Sequence, residues 1–150
     1  MGDAVNELVP TVDLADPTAT SLEALDRACA DHGFFLLAGH GLDDLIERTW
    51  AETERFFAAG ADVKDPIRRS EDQQLGYHDR ELTKRLRDHK EVFDFVDPAM
   101  SGEDGLNRWP ADLAGFRSTM VEFFDAMAAA TAATLRLIHR ALGLPPAVAE

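Results

Sequence analysis

The chain has 150 residues, 45% hydrophobic and 29% charged, so it is long enough to bury a core and too apolar for wholesale disorder. A net charge of −13 excludes a nucleic-acid binder, which needs a basic face, and the single cysteine, Cys29, excludes an internal disulfide or a thiolate metal cluster. The start MGDAVNELVP lacks the apolar core of a secretory signal and no apolar run approaches a membrane span, so no membrane partner is expected and the cytoplasm is the expected compartment.

Residues 1–7 read as a tail. Leu8 to Leu14 (LVPTVDL) reads as a short extended segment, with Pro10 confining it to an edge or a strand start. The T-x-x-E pattern of Thr20 and Glu23 predicts a capping box opening a helix, with Leu22, Leu25, Ala28 and Cys29 on its buried face. Gly33 ends that helix, since glycine takes a left-handed conformation freely. The run Phe34 to Ala38 (FFLLA) has no polar residue and predicts a strand covered on both faces.

Gly39, His40 and Gly41 turn the chain, and His40 is read as a residue that bonds backbone. Asp43 and Asp44 suit the positive start of the next helix. Its predicted buried stripe is Leu45, Ile46, Thr49, Trp50, Thr53, Phe56 and Phe57, with Gly60 closing it. Residues 61–74 are polar and read mostly as loop. Glu91 to Val96 (EVFDFV) alternates as a strand does, with Val92, Asp94 and Val96 on one face and Phe93 and Phe95 on the other. A turn-rich connection containing Pro98, Gly102, Gly105 and Pro110 follows. A long helix then begins at Asp112 or Phe116 and runs to Leu142. Its predicted apolar face is Phe116, Met120, Phe123, Met127, Thr131, Leu135, Ile138 and Leu142. Gly143 and Pro145 stop it. The fold class is α+β, helix-rich, with a few short strands.

Residues 64–90 carry eight basic and six acidic side chains, leaving −15 on the remainder. That segment is either a solvated charged face or an electropositive lip that attracts an anionic substrate. Dinucleotide, Walker, nucleophile-elbow and zinc-spacing motifs are all missing.

Seven segments, in order, carry a resemblance. They are VPTVDL (Val9 to Leu14), the AC-x-x-HGFF-x-L-x-x-HG phrase from Ala28 to Gly41, FFAAGADVKDPI (Phe56 to Ile67) and LGYH (Leu75 to His78). DHKEVFDF (Asp88 to Phe95), NRWP (Asn107 to Pro110) and the helix ending in LGL (Leu142 to Leu144) complete the run. Together they resemble the N-terminal domain of the non-haem iron, 2-oxoglutarate-dependent dioxygenases of the isopenicillin N synthase-like family, covering residues 8–144. Residues 145–150 then read as the start of a connection to a catalytic domain.

The resemblance implies a domain whose strands extend a double-stranded β-helix, or jelly roll. It implies Fe(II) held by a His-x-Asp/Glu pair and a distal His, and 2-oxoglutarate held by an Arg, all C-terminal to the region matched. A complete family member hydroxylates, desaturates or cyclises a small organic substrate. On this reading the chain holds no catalytic, cofactor or metal ligand, is inactive alone, and is completed by a jelly-roll domain in cis or in trans. Tyr77, Arg80 and Arg87 would border the substrate mouth. The alternative is a stand-alone protein-interaction module, or one half of a split oxygenase.

The only His-x-Asp/Glu triplet is His89-Lys90-Glu91. On a strand its ends share a face, and His139 lies downstream. Against an iron site, His139 falls on a long helix, no Arg-x-Ser pair follows it, and the strands are too few for a closed jelly roll.

Overall fold

The computed structural model describes residues 9–16, 18–83, 85–100 and 105–145, and the side chains of Ala19, Thr83 and Arg87 are outside that description. The expected tail, Leu8, Gly102 and the residues after Pro145 lie outside the described residues. The chain forms two compact units, residues 1–43 with 125–150 and residues 44–124.

In the first unit, β1 (Thr11–Asp13) and β2 (Leu36–Ala38) pair in parallel, Val12 opposite Leu37, with α1 (Ala19–Asp31) as the crossover between them. The helix begins two residues before the expected capping box. Thr18 is extended and its hydroxyl accepts from the Ser21 amide at 3.2 Å, which places Thr20 inside the first turn. The end is as expected, with Gly33 at φ 75° donating its amide to the Ala28 carbonyl at 3.0 Å. Leu25 and Ala28 are buried, but Cys29, expected on the same face, is exposed.

The FFLLA run is not covered on both faces within the described residues. Phe34 is 58% and Leu36 48% exposed, because β2 has a single strand partner and only Phe35 packs on the core. That core is Val12, Leu25 and Leu137 with Leu14, Leu22, Ile138 and Ala141 around it. Gly39 closes the pair at φ 65°. A Cβ there would lie 1.9 Å from Asp13 Oδ1, the atom that accepts the Ala15 amide.

The second unit holds nearly all of α2 (Asp43–Ala58), then α3 (Ala61–Lys64), a 3-10 turn (Asp65–Ile67), and strands β3 (Gly76–His78), β4 (Leu82–Thr83), β5 (Leu86–Arg87) and β6 (Val92–Asp94). β3 and β6 pair antiparallel with Tyr77 opposite Phe93, and β4 and β5 form a separate hairpin. The expected 61–74 loop is therefore helical in its first half. Gly60 opens α3, Pro66 suits the first turn of the 3-10 segment, and Lys64 and Ile67 are buried there.

Aromatic rings fill this core. Phe56 is fully buried, with ring centroids of Phe57, Phe93 and Phe116 at 5.0, 5.1 and 4.9 Å. Phe93 and Phe95 pack inward as the alternation predicts, against Trp109 at 5.7 and 5.2 Å. Asn107 extends the pairing of this segment. Its Oδ1 accepts the Val96 amide and its Nδ2 donates to the Val96 carbonyl, both at 2.9 Å.

Two apolar stripes need correction. Trp50 is exposed, because it lies at the margin of the α2 stripe rather than on the side of Leu45 and Phe56. On α4 (Phe116–Ala141) the buried residues are Phe116, Thr119, Met120 and Leu137, while Met127 and Leu135, and Leu142 just past the helix end, are exposed. Leu135 lies about 100° around the helix from Phe116, off the side that Phe116 and Met120 bury, whereas Met127 falls between those two residues and is exposed nonetheless.

Candidate functional site

A cluster of charged side chains surrounds Tyr77 on β3. The φ of 104° at Gly76 lets the strand start against the Ile67 carbonyl, where a Cβ would meet the oxygen at 2.2 Å. Tyr77 follows, buried, with two cations near its ring. Lys64 Nζ lies 5.4 Å and the Arg68 guanidinium carbon 4.9 Å from the ring centroid.

Lys64 is itself buried. Its ammonium donates to the Phe57 carbonyl at 2.9 Å and to Glu91 Oε2 at 3.0 Å. Arg68 pairs with Asp65 at 2.7 Å and with Asp79, and those two carboxylates, Asp65 first, raise its pKa further above its ordinary value. Burial, then the negative charges of Glu91 and Asp79, raise the Tyr77 hydroxyl above its usual range against the opposing pull of Arg68.

A cavity of about 180 Å³ opens beside this cluster, lined by Asp79, Asp88, His89, Lys90 and Glu91. A wider one of about 430 Å³ is lined by Arg69, Ser70, Glu71, Gln74, His78 and Glu81. The basic segment is largely neutralised where it borders them. Arg69 pairs with Asp94 at 3.0 Å, Lys90 with Glu81 at 2.6 Å, and Arg80 stands 3.8 Å from Asp79.

Of the three expected substrate-mouth residues, Tyr77 is therefore a core side chain, Arg80 is exposed, and Arg87 lies on β5 opposite Leu82 with its side chain outside the description. Lys64 and Arg68, the residues that frame Tyr77, fall in the stretch expected to be polar loop. Their signal in the sequence is weak, because the partners Glu91 and Asp79 lie far along the chain.

The histidines are dispersed. His40 Nδ1 accepts the Leu42 amide at 3.0 Å, the backbone role expected of it. His32 stacks edge-on with Phe34 at 6.3 Å. His139 sits on α4, in the other unit from His89, its buried Nδ1 without a hydrogen-bond partner. Among the described residues no group of three or more His, Cys, Asp or Glu side chains could hold a metal ion. The His89-Lys90-Glu91 triplet does not fit iron, because the Glu91 carboxylate already serves the buried ammonium of Lys64. Among the described residues no helix is long and apolar enough to cross a membrane.

Comparisons with known proteins agree with one another. A family model described as the non-haem dioxygenase in morphine synthesis N-terminal domain matches residues 9–112. A homoarginine-6-hydroxylase of Arabidopsis thaliana is 28% identical over 142 residues, covering 85% of this chain and 42% of the relative. A gibberellin 3-beta-dioxygenase of Triticum aestivum is 34% identical over 144 residues, covering 92% of this chain and 38% of the relative. The chain thus spans about two fifths of the length of these relatives. Among solved structures, a full-length Neurospora crassa protein in complex with alpha-KG and thymine superposes with a TM-score of 0.66 at 23% identity, over 92% of this chain and 49% of that one. This last likeness speaks for the fold alone, whereas the family model matches well over half of the residues. The chain therefore belongs to the non-haem, 2-oxoglutarate/Fe(II)-dependent dioxygenase family and corresponds to its N-terminal domain.

Proposed function

We propose that this domain serves as the scaffold and substrate-mouth region of an oxygenase that uses Fe(II) and 2-oxoglutarate to hydroxylate, desaturate or cyclise a small organic molecule. The family match over residues 9–112 carries this reading. On it, the iron and 2-oxoglutarate ligands come from a jelly-roll domain rather than from these 150 residues. The engagement of Glu91 with Lys64 supports that reading, since one oxygen of the His-x-Glu carboxylate is already bonded to a buried ammonium. The short two-stranded sheets support a scaffolding role. Pairs of two or three residues are marginal alone and gain stability when they extend a larger sheet.

At the mouth, the exposed guanidinium of Arg80, with Arg87 on the adjoining hairpin, meets the substrate, while the buried Tyr77 anchors β3 in the core. An arginine there would grip a carboxylate through paired N–H donors. The test is anaerobic calorimetry of the 150-residue chain with Fe(II), in the presence and absence of 2-oxoglutarate. No binding is expected in either titration. Stoichiometric Fe(II) binding that tightens with 2-oxoglutarate would place the metal site within these residues and overturn the scaffold reading.

A further inference from the structure

Two exposed faces of the second unit complement each other in charge and in apolar character. On α2, Trp50 is 64% exposed, with Glu47 one turn before it and Glu54 one turn after, positions that are neighbours on a helix surface. Neither carboxylate makes an ion pair among the described residues, whereas Arg48 and Arg55 are taken up by Glu122 and Glu52. The face is an indole flanked by unpaired negative charge.

The β4–β5 hairpin is its counterpart. Leu82 and Leu86 are 66% and 74% exposed, and Arg85 between the strands is exposed, without an ion pair among the described residues. Arg85 holds φ at 67°, the left-handed conformation that a tight hairpin turn requires. Residues 80–87 carry four basic side chains and one acidic one inside a chain of net −13. A hairpin with two-residue strands has little stability of its own and gains it on being covered.

We propose that these faces dock between two copies of the chain, the hairpin of one on the Trp50 face of α2 of the other. The leucines cover part of the indole, and Arg85 sits over the ring between Glu47 and Glu54. The charge match singles out a second copy as occupant: the acidic-aromatic and the basic-apolar faces occur on the same molecule, each unpaired there. Such a pairing combines apolar burial with cation–π and ionic contacts. It needs no iron or 2-oxoglutarate chemistry, but it covers the hairpin that carries Arg87, so the two assignments of that hairpin compete.

The test is sedimentation velocity of the 150-residue chain from about 5 to about 200 μM, concentrations that span weak association. At low salt the mass is expected to rise from 16.5 kDa toward twice that value. Raising NaCl to about 0.5 M should narrow the difference between the chain and Arg85→Glu, because salt screens the local contacts of Arg85 while the net −13 of each copy is screened in both. The double variant Glu47→Lys/Glu54→Lys should be monomeric, and Arg85→Glu should weaken self-association at least about tenfold by setting like charges face to face. An equimolar mixture of the two variants should associate more tightly than either alone, because each then offers the other an opposite charge. Circular dichroism checks that these surface variants keep the fold. A monomer at every concentration leaves the faces to other partners and overturns the proposal. A dimer insensitive to both variants overturns it too, as does a mixture no tighter than its components.

Discussion

The two units solve the same packing problem with different materials. The first unit closes on three buried aliphatic side chains, Val12, Leu25 and Leu137, brought together by one parallel strand pair and two helices. The second buries Phe56, Ile67, Tyr77, Phe116 and Met120 with a further shell of rings, and adds a buried ammonium. All ion pairs among the described residues lie in residues 44–124. Truncating a side chain should therefore cost more in the second unit, and pH and salt should act on it selectively.

The largest effect is expected for Phe56→Ala. Its ring is at the centre of the aromatic cluster, fully buried, and its loss removes both transfer energy and ring contacts. Urea unfolding should show a loss of about 3–5 kcal/mol. In the first unit, Leu25→Ala removes a buried side chain with smaller neighbours. A loss of about 2–3 kcal/mol is expected, in the lower part of the range for such truncations. Equal losses for the two variants would erase the contrast between the cores.

Lys64→Met sharpens the contrast from the polar side. Methionine keeps the buried stem and removes the ammonium, leaving the Phe57 carbonyl without this donor and Glu91 without its ion-pair partner. The expected cost is about 1–3 kcal/mol, the penalty for orphaning a buried polar group. The far end of the charged pair is open to water, since the Glu91 side chain is 42% exposed, so the cost should stay below that of Phe56→Ala. A neutral or stabilising Lys64→Met would mean that burying the ammonium is a burden the core tolerates rather than a contact it needs.

Legibility in the sequence follows the same division. The first unit is written in local signals. The helical spacing of Leu25 and Ala28 and the stop at Gly33 are readable directly. In α1 the cap differs, Thr18 in place of Thr20, where two hydroxyl residues compete within three positions, and Cys29, expected on the buried face, is exposed. The inward alternation of Phe93 and Phe95 is equally plain, because period two belongs to the strand itself. What cannot be read is what depends on partners distant in the chain. Lys64 in a polar stretch looks solvated until Glu91 and the Tyr77 ring are beside it. FFLLA looks doubly covered until its one partner strand is known, and Trp50 looks buried until the core side of α2 is fixed by Phe56. At the candidate site, the family pattern marks Tyr77 as a residue of interest but carries no sign of its burial, which Phe56 and Phe93 impose from other elements.

The smallest effect tests the electrostatic half of the contrast. Arg48 on α2 and Glu122 on α4 form a two-pronged pair at 3.0 and 2.8 Å, with both side chains 53% exposed. The hydrogen bonds from Arg48, and then its charge, hold the Glu122 carboxyl below its ordinary value. A lowered folded-state pKa means that the folded chain binds this proton less readily than the unfolded chain. The pair therefore stabilises at pH values above the ordinary carboxylate range, and the contribution fades as pH falls through the folded pKa. Glu122→Gln should lower stability slightly at pH 7 and make no difference in strong acid, so the gap between variant and wild type should close on acidification. Because the pair is exposed, high salt at pH 7 should close the same gap. Urea midpoints across pH 7 to 3, with and without salt, measure it. A gap that persists in acid and in salt would show that Glu122 works by packing rather than by charge.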